Sequence, residues 1–287
     1  MASGKGIASC GRPPRVRKIR QRGGVLGVKA IVLAAGRGTR LEEITQDKPK
    51  CLVELGGKSL IERQLSCLRS AGIGDIILVT GYHADMLGLA GTKQVQNPKW
   101  DQTNMVESLF CAESEFSDDI IITYADIVFE PKVITALCES PHEISIAINM
   151  NWQSLWKTRF ADPLEDAESL RMDSQDRITD IGNPVENIDD IQGQYMGLMR
   201  FKAKGVAALK ETYAALGSIP RAWMDNRAVK NAYMTDLLME LILTGHNLHA
   251  IRIDGGWLEI DTVEDYRLMQ EMFKDGSIEK FYRPQIS

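Results

Sequence analysis

One loop and three side chains of this 287-residue chain have the types and spacing of a charged reaction centre. The loop is Leu33-Ala34-Ala35-Gly36-Arg37-Gly38-Thr39-Arg40-Leu41. Its small residues let backbone N–H groups approach an anion and Arg37 and Arg40 add charge, so a triphosphate is the natural guest. Lys50 follows in Asp47-Lys48-Pro49-Lys50-Cys51-Leu52. Pro49 there predicts an extended backbone from which the ammonium reaches back over the loop to neutralise an α-phosphate. Asp126 comes directly after the apolar run Ile120-Ile121-Ile122-Thr123-Tyr124, and Asp261 lies far along the chain in Glu259-Ile260-Asp261, where strand alternation puts Glu259 and Asp261 on one side. Two carboxylates, with phosphate and water completing the shell, suit Mg²⁺ carried by a nucleotide, which makes Asp126 and Asp261 the expected metal ligands. Each has a plainer reading: Lys50 as a surface lysine, Asp126 as a solvated loop acid, Asp261 as an acid at the start of the helix that follows.

Other chemistries find less support. A dinucleotide fingerprint needs a third glycine where Leu41 stands, and a P-loop ending in Gly57-Lys58-Ser59 needs a glycine where Leu52 stands, so that triplet reads as a turn. His246 and His249 have no third ligand nearby and read as a polar loop after a helix. Five cysteines, odd in number and with no Cys-x-x-Cys pair, fit reduced thiols in a cytosolic protein.

The elements that must position these groups follow from hydrophobic periodicity. Strands are predicted over 30–33, 76–80, 120–124, 144–149, 195–201 and 248–253, and helices over 60–69, 105–113, 235–243 and 263–273. Alternation of this kind predicts one α/β domain over 29–287, a mostly parallel sheet with helices on both faces, and ligands beyond the carboxyl ends of its strands. Residues 1–28 are Gly-rich and carry Arg12, Arg15, Arg17, Lys18, Arg20 and Arg22 without apolar periodicity. They read as a disordered basic tail, with Val28, codable as a GTG start, marking the natural beginning. A formal net charge of −5 argues against a general nucleic-acid binder, and no run approaches the roughly 20 apolar residues of a membrane span. No apolar stretch follows the basic residues as a secretory signal requires, so the expected location is the cytoplasm. Homodimerisation stays open.

With its loop and Pro49-Lys50-Cys51-Leu52, the sequence resembles the nucleotidyltransferases of the sugar-phosphate and phosphocholine type, the MobA-like NTP transferase superfamily. The resemblance continues through Val79-Thr80-Gly81-Tyr82, Thr103-Asn104-Met105-Val106-Glu107-Ser108-Leu109, Tyr124-Ala125-Asp126 and Trp257-Leu258-Glu259-Ile260-Asp261-Thr262. It is greatest to the small cytidylyltransferases for phosphocholine, aminoethylphosphonate and related acceptors. The resemblance implies a Rossmann-like, GT-A-like fold and a Mg²⁺-dependent transfer of a nucleoside monophosphate, CMP from CTP in the favoured reading, to a small phosphate or phosphonate acceptor. It also implies that Thr80, Gly81, Tyr82, Asn104 and Ser108 lie near the base or the acceptor phosphate. Asn104, with Glu107 three residues on, equally has the form of a helix cap.

In such a reaction an acceptor oxygen, already anionic, attacks the α-phosphorus in line, so no general base is needed. Lys50 and Mg²⁺ then stabilise the transition state while Arg40 and the loop amides hold pyrophosphate. Trp152, Trp156, Tyr195 and Trp257 are candidate walls of an acceptor pocket for an ammonium group, with Glu259 beside them and Asp236 completing a cation site. Core packing is the competing reading for each aromatic. The segment 152–159, with Arg159, departs from the sheet-like pattern and suggests a pocket wall or lid, and Gly193-Gln194-Tyr195-Met196-Gly197 resembles the family's acceptor-side strand. The rivals are a sugar-1-phosphate nucleotidyltransferase using UTP or dTTP, a nucleotide-binding regulatory module without turnover, and a nucleic-acid binder acting through residues 12–22.

Overall fold

In the computed structural model, which describes residues 27–218 and 227–284, the first apolar run forms β1 (Lys29–Ala34). A short hairpin follows, β2 (Glu54–Leu55) and β3 (Lys58–Ser59), turning at Gly56 and Gly57 with φ of 55° and 77°. Such a two-residue hairpin favours positive φ at both turn positions, so the turn expected at Gly57-Lys58-Ser59 falls on Gly56-Gly57, and Lys58 and Ser59 form β3. Ser59 then caps α1 (Leu60–Ser70) through a reciprocal box with Glu62. Next come β4 (Asp75–Thr80), β5 (Lys93–Gln96), α2 (Met105–Cys111), β6 (Asp119–Tyr124), β7 (Ile127–Phe129), α3 (Pro131–Glu139), β8 (Ile144–Asn149) and α4 (Trp152–Arg159). A small antiparallel pair, β9 (Leu170–Met172) and β10 (Ile178–Ile181), precedes β11 (Gln194–Lys202), α5 (Ala203–Leu216), α6 (Met234–Leu243), β12 (His249–Ile253), β13 (Trp257–Glu259) and α7 (Val263–Asp275).

The central sheet runs β12-β8-β11-β6-β1-β4-β5, and β11 is its antiparallel member. Its other neighbouring pairs are parallel, which makes this an α/β fold with a mostly parallel, mixed sheet. Period-two alternation sends successive side chains to opposite faces. Ala30, Val32, Leu78 and Ile121 join a core covered by α1, α3, α4 and α7, whereas Ile31, Ile77, Ile120 and Ile122 join a second core covered by α2, α5 and α6. Strands buried on both faces read as continuous apolar runs, which is why these strands are legible in sequence.

Because β11 runs against its neighbours, its first residues lie at the carboxyl edge of the parallel strands, beside the ends of β6 and β8. Gln194 pairs with Asn149, and the β11–β8 register slips between Tyr195 and Met199. Gly197 sits in that irregularity at φ 69°, where a Cβ would lie 2.8 Å from the Tyr124 ring. The expected elements form with boundaries shifted by a residue or two, except that α2 stops at Cys111 and continues as a separate 3-10 turn, Glu113–Glu115. The sequence reading passes over α3, α5, β5, β7 and the β9–β10 pair; the strand it reads through Glu259-Ile260-Asp261 is β13, which ends at Glu259, and segment 152–159 is a core helix rather than a lid. The basic segment 1–26 lies outside the described residues. Among the described residues no helix is long and apolar enough to cross a membrane.

Gly197→Ala forces an L side chain into the left-handed region against Tyr124. We expect it to lower unfolding stability by about 2 kcal/mol, measured by urea denaturation; an unchanged midpoint would mean the bulge relaxes freely.

Candidate active site

Two short strands bring the distant carboxylates together. β7 and β13 pair antiparallel, Ile127 opposite Glu259 and Phe129 opposite Trp257, and the Ile260 N–H donates to the Asp126 carbonyl at 3.1 Å. Asp126 and Asp261 therefore flank one junction. Between them stands the Lys50 ammonium, 2.8 Å from Asp126 Oδ2 and 2.6 Å from Asp261 Oδ1, while Arg40 pairs with Asp261 Oδ2. Burial works against the Lys50 charge, but Asp126 and Asp261 outweigh it and raise its pKa. Lys50 is thus a half-buried member of an ion cluster, not a surface lysine. Its backbone differs from expectation: Pro49 is extended, but Lys50–Leu52 closes at once into a 3-10 turn, with the Leu52 and Val53 N–H groups donating to Pro49 and Lys50. The loop rests directly on this lysine, since a Cβ on Gly38 would fall 2.8 Å from Lys50 Cβ and Cδ.

The helix after Asp261 is capped by Thr262 and Asp265 in a reciprocal box. Asp261 is left free of that duty, and its own N–H donates to Asp265 Oδ2 at 3.1 Å. Asp265 also receives a bidentate guanidinium, Arg159 Nε and Nη2 at 2.8 and 2.9 Å, and Arg159 Nη1 stands 3.6 Å from Glu259 Oε2. The Arg159 side chain is fully buried and ties α4 to α7 through Asp265, with Glu259 beside it, so Asp261 is reached only through the Asp265 carboxylate that accepts from its N–H.

A first cavity lies over the carboxyl end of β1. Leu33, Ala34, Ala35, Gly36, Lys50, Asn104, Ser108 and Asp126 line it, as do Cys51, Trp100, Thr103 and Met105, which the sequence reading passes over. Asn104 Oδ1 accepts from the Met105 N–H at 2.8 Å; Glu107 does not close the box, because it accepts from the Tyr213 hydroxyl. Ser108 is buried and hydrogen-bonded to Asn97 Nδ2. Thr80, Gly81 and Tyr82, also expected at the nucleotide, stand behind the loop. Thr80 is buried inside β4, and Gly81 permits a close approach, its Cβ position lying 2.5 Å from both the Ala35 carbonyl and Trp100. The Tyr82 N–H donates to Ala35, and its ring meets Trp100 and the Arg37 guanidinium. Thr39 opens a 3-10 turn, Thr39–Thr45. Thr80, Gly81 and Tyr82 therefore buttress the loop, while Arg37, Gly38 and Thr39 form its outer stretch beyond the residues that line the cavity.

A second cavity of about 300 Å³, the small end of the range for ligand pockets, adjoins the first across Tyr124 and Met105. Trp156, Tyr195, Trp257 and Glu259 line it together with Arg40 and Asp261. Trp152 and Asp236 do not. Trp152 packs edge-on against Trp156 in the core, and Asp236, wholly buried, accepts from the Tyr233 N–H at the start of α6 and pairs with Arg227. Besides Glu259 and Asp261, two further acids face the cavity, Asp166 and Glu168, whose clustering with Asp162 and Glu165 was the available signal. Burial, then Asp126 and Asp261, push the Glu259 pKa up against the pull of Arg159. Burial and the neighbouring Asp166 push Glu168 up to about 7, although its side chain stays open to solvent, which screens part of the effect. The Trp156 indole N–H is buried without a protein partner.

Among the described residues no three His, Cys, Asp or Glu side chains form a metal cluster. Asp126 Oδ1 is buried and unpartnered, and a pair of hard carboxylate donors suits a divalent cation that brings phosphate and water as its other ligands. The donor set therefore fits Mg²⁺ borne by a nucleotide.

Residues 30–177 match the model of the MobA-like NTP transferase domain. The chain is 38% identical to the CTP:phosphoglutamine cytidylyltransferase of Campylobacter jejuni, over 85% of this chain and 100% of the relative. It is 28% identical to a choline-phosphate cytidylyltransferase of Streptococcus pneumoniae, over 86% and 99%. Among solved structures, the inositol-1-phosphate CTP transferase from T. maritima superposes with a TM-score of 0.64 at 22% identity, covering 88% of this chain and 98% of the other, a likeness of fold.

Asp265→Ala would strip the buried Arg159 of its bidentate partner and leave two N–H groups without an acceptor. The expected loss is about 3–5 kcal/mol in chemical denaturation, and a loss below about 1 kcal/mol would show the clamp to be incidental.

Proposed function

The chain belongs to the MobA-like NTP transferase family and is a nucleotidyltransferase, and from that premise we propose that it transfers CMP from CTP to a small phosphorylated or phosphonate acceptor bearing an amino group. One observation carries the reading: Lys50, Asp126 and Asp261 meet where a loop-walled cavity adjoins an acid-lined one. A nucleoside triphosphate in the first cavity and an acceptor in the second bring their reacting atoms to that junction.

The acceptor's phosphoryl oxygen is the nucleophile and attacks the α-phosphorus in line with the departing pyrophosphate. Lys50 swings from the aspartates onto the α-phosphate, where its charge meets the negative charge that develops. Arg40 and the loop amides hold pyrophosphate. Asp126 and Asp261 would hold Mg²⁺, which would supply Lewis-acid neutralisation of phosphate oxygens. No side chain has to remove a proton, which agrees with a junction built from one ammonium and two carboxylates.

The choice of CTP is supported by the names of the relatives, two of them cytidylyltransferases spanning nearly all of this chain. The amino-bearing acceptor is supported by Asp166, Glu168 and Glu259 facing the second cavity beside Trp156 and Trp257, a lining that favours an ammonium group. Cytosolic work suits such substrates.

The test is pyrophosphate release with Mg²⁺, four nucleoside triphosphates, and a panel of phosphorylated amino acids, phosphocholine, aminophosphonates and sugar 1-phosphates. Release with CTP and an amino-bearing acceptor is expected; release confined to UTP or dTTP with a sugar phosphate would overturn the reading. With the active pair, Lys50→Ala and Asp126→Ala should each lower kcat by about 10²- to 10³-fold while circular dichroism stays native. Near-wild-type turnover in either variant would remove that residue from the mechanism. Chelation by EDTA should abolish release and added Mg²⁺ restore it.

A further inference from the structure

The two cations assigned to phosphate in the proposed reaction are both engaged on the carboxylates assigned to metal. Asp261 Oδ1 accepts from Lys50 and Oδ2 pairs with Arg40; Asp126 Oδ2 accepts from Lys50, and its Oδ1 has no partner. Three of the four carboxylate oxygens are engaged, and the two acids and two bases cancel in charge. A divalent cation arriving alone meets an ammonium in the space between its ligands and gains little Coulomb attraction from a neutralised cluster. A triphosphate changes the balance, because its oxygens compete for both cations. Lys50 moving onto phosphate frees one oxygen of each aspartate for metal, and Arg40 moving frees the other oxygen of Asp261.

The cluster is built for such an exchange. Arg40 is 64% exposed, so its pairing is a weak, solvent-screened one that is readily given up. Lys50 is only 12% exposed, and its stem lies under Gly38 of the loop that lines the first cavity, so an anion in that cavity acts on the ammonium at short range. On the metal-site reading above, we propose that Lys50, assisted by Arg40, is an internal counter-cation that closes the Asp126–Asp261 pair to free divalent metal and yields it only to a bound nucleoside triphosphate. Metal and nucleotide then bind with positive coupling, and the free enzyme ignores metal ions that carry no phosphate.

The experiment uses Mn²⁺ alone as probe, followed by electron paramagnetic resonance, on the full chain and on Lys50→Met, Arg40→Met and Asp126→Asn. Without nucleotide, Lys50→Met should bind Mn²⁺ at least about tenfold more tightly than the wild type, Arg40→Met by a smaller factor. A thermal-shift series on the wild type covers the case in which Lys50→Met fails to fold. Mn²⁺ alone should leave the melting temperature unchanged, and Mn²⁺ with a non-hydrolysable CTP analogue should raise it more than the analogue with EDTA. Equal Mn²⁺ affinity in wild type and Lys50→Met, or a wild-type melting temperature raised by Mn²⁺ alone, would overturn the proposal. If Mn²⁺ never binds, with or without the analogue, and Asp126→Asn is indistinguishable from wild type, the metal-site reading itself falls and this proposal with it.

Discussion

An ammonium held between two carboxylates, with its side chain largely out of water, is the contact around which the rest of the molecule is arranged. Removing such charges from solvent is unfavourable unless each finds partners with good geometry. Lys50 has them on two sides, from residues 76 and 211 positions away along the chain. No local element can supply that. The pairing of β7 with β13 does, because three residues on each strand fix Asp126 and Asp261 as neighbours across one ladder. Gln64, on α1, anchors this junction from beneath, donating to the carbonyls of Tyr124 and Ile127 on either side of Asp126.

The sheet then decides what surrounds the cluster. Parallel strands present their carboxyl ends together, which places the loop after β1 and Asp126 after β6 at one edge. Antiparallel β11 contributes its beginning to the same edge, bringing Tyr195, Met196 and Gly197 to the second cavity. The Trp257 indole N–H donates to the Met196 carbonyl at 2.9 Å, so β13 is fastened to β11 as well as to β7. Nucleotide and acceptor sides are consequently built on one rigid frame and meet at Lys50.

Arg159 extends this frame to the acceptor side. Its guanidinium packs over Trp156 at 5.0 Å, grips Asp265 and stands near Glu259, so one buried charge organises an aromatic wall, a pocket acid and the backbone of a proposed metal ligand. Burial first, and then the neighbouring acids around the second cavity, leave Glu259 and Asp166 with raised pKa values. Such a surplus of negative potential suits a cationic group.

Sequence by itself determined the two-faced sheet, because strands buried on both sides are continuous apolar runs, and the loop, Lys50 and Asp126, because each sits directly after a legible strand or within a motif of fixed spacing. Asp261 was legible too, and its meeting with Asp126 was expected, but not the β7–β13 pairing that brings them together, since three-residue strands leave little periodic signal. Tertiary structure decided which aromatics and acids face ligand. Trp152 and Trp156 are four residues apart on one helix with identical chemistry, yet one is core and the other wall, because α4 is clamped by Arg159 in a single orientation. Asp236 and Glu168 could not be ranked from sequence either. The capping of α6 and the pairing with Arg227 consume the first, while the turn before β9 exposes the second to the cavity, and those are contacts between segments that no local pattern encodes.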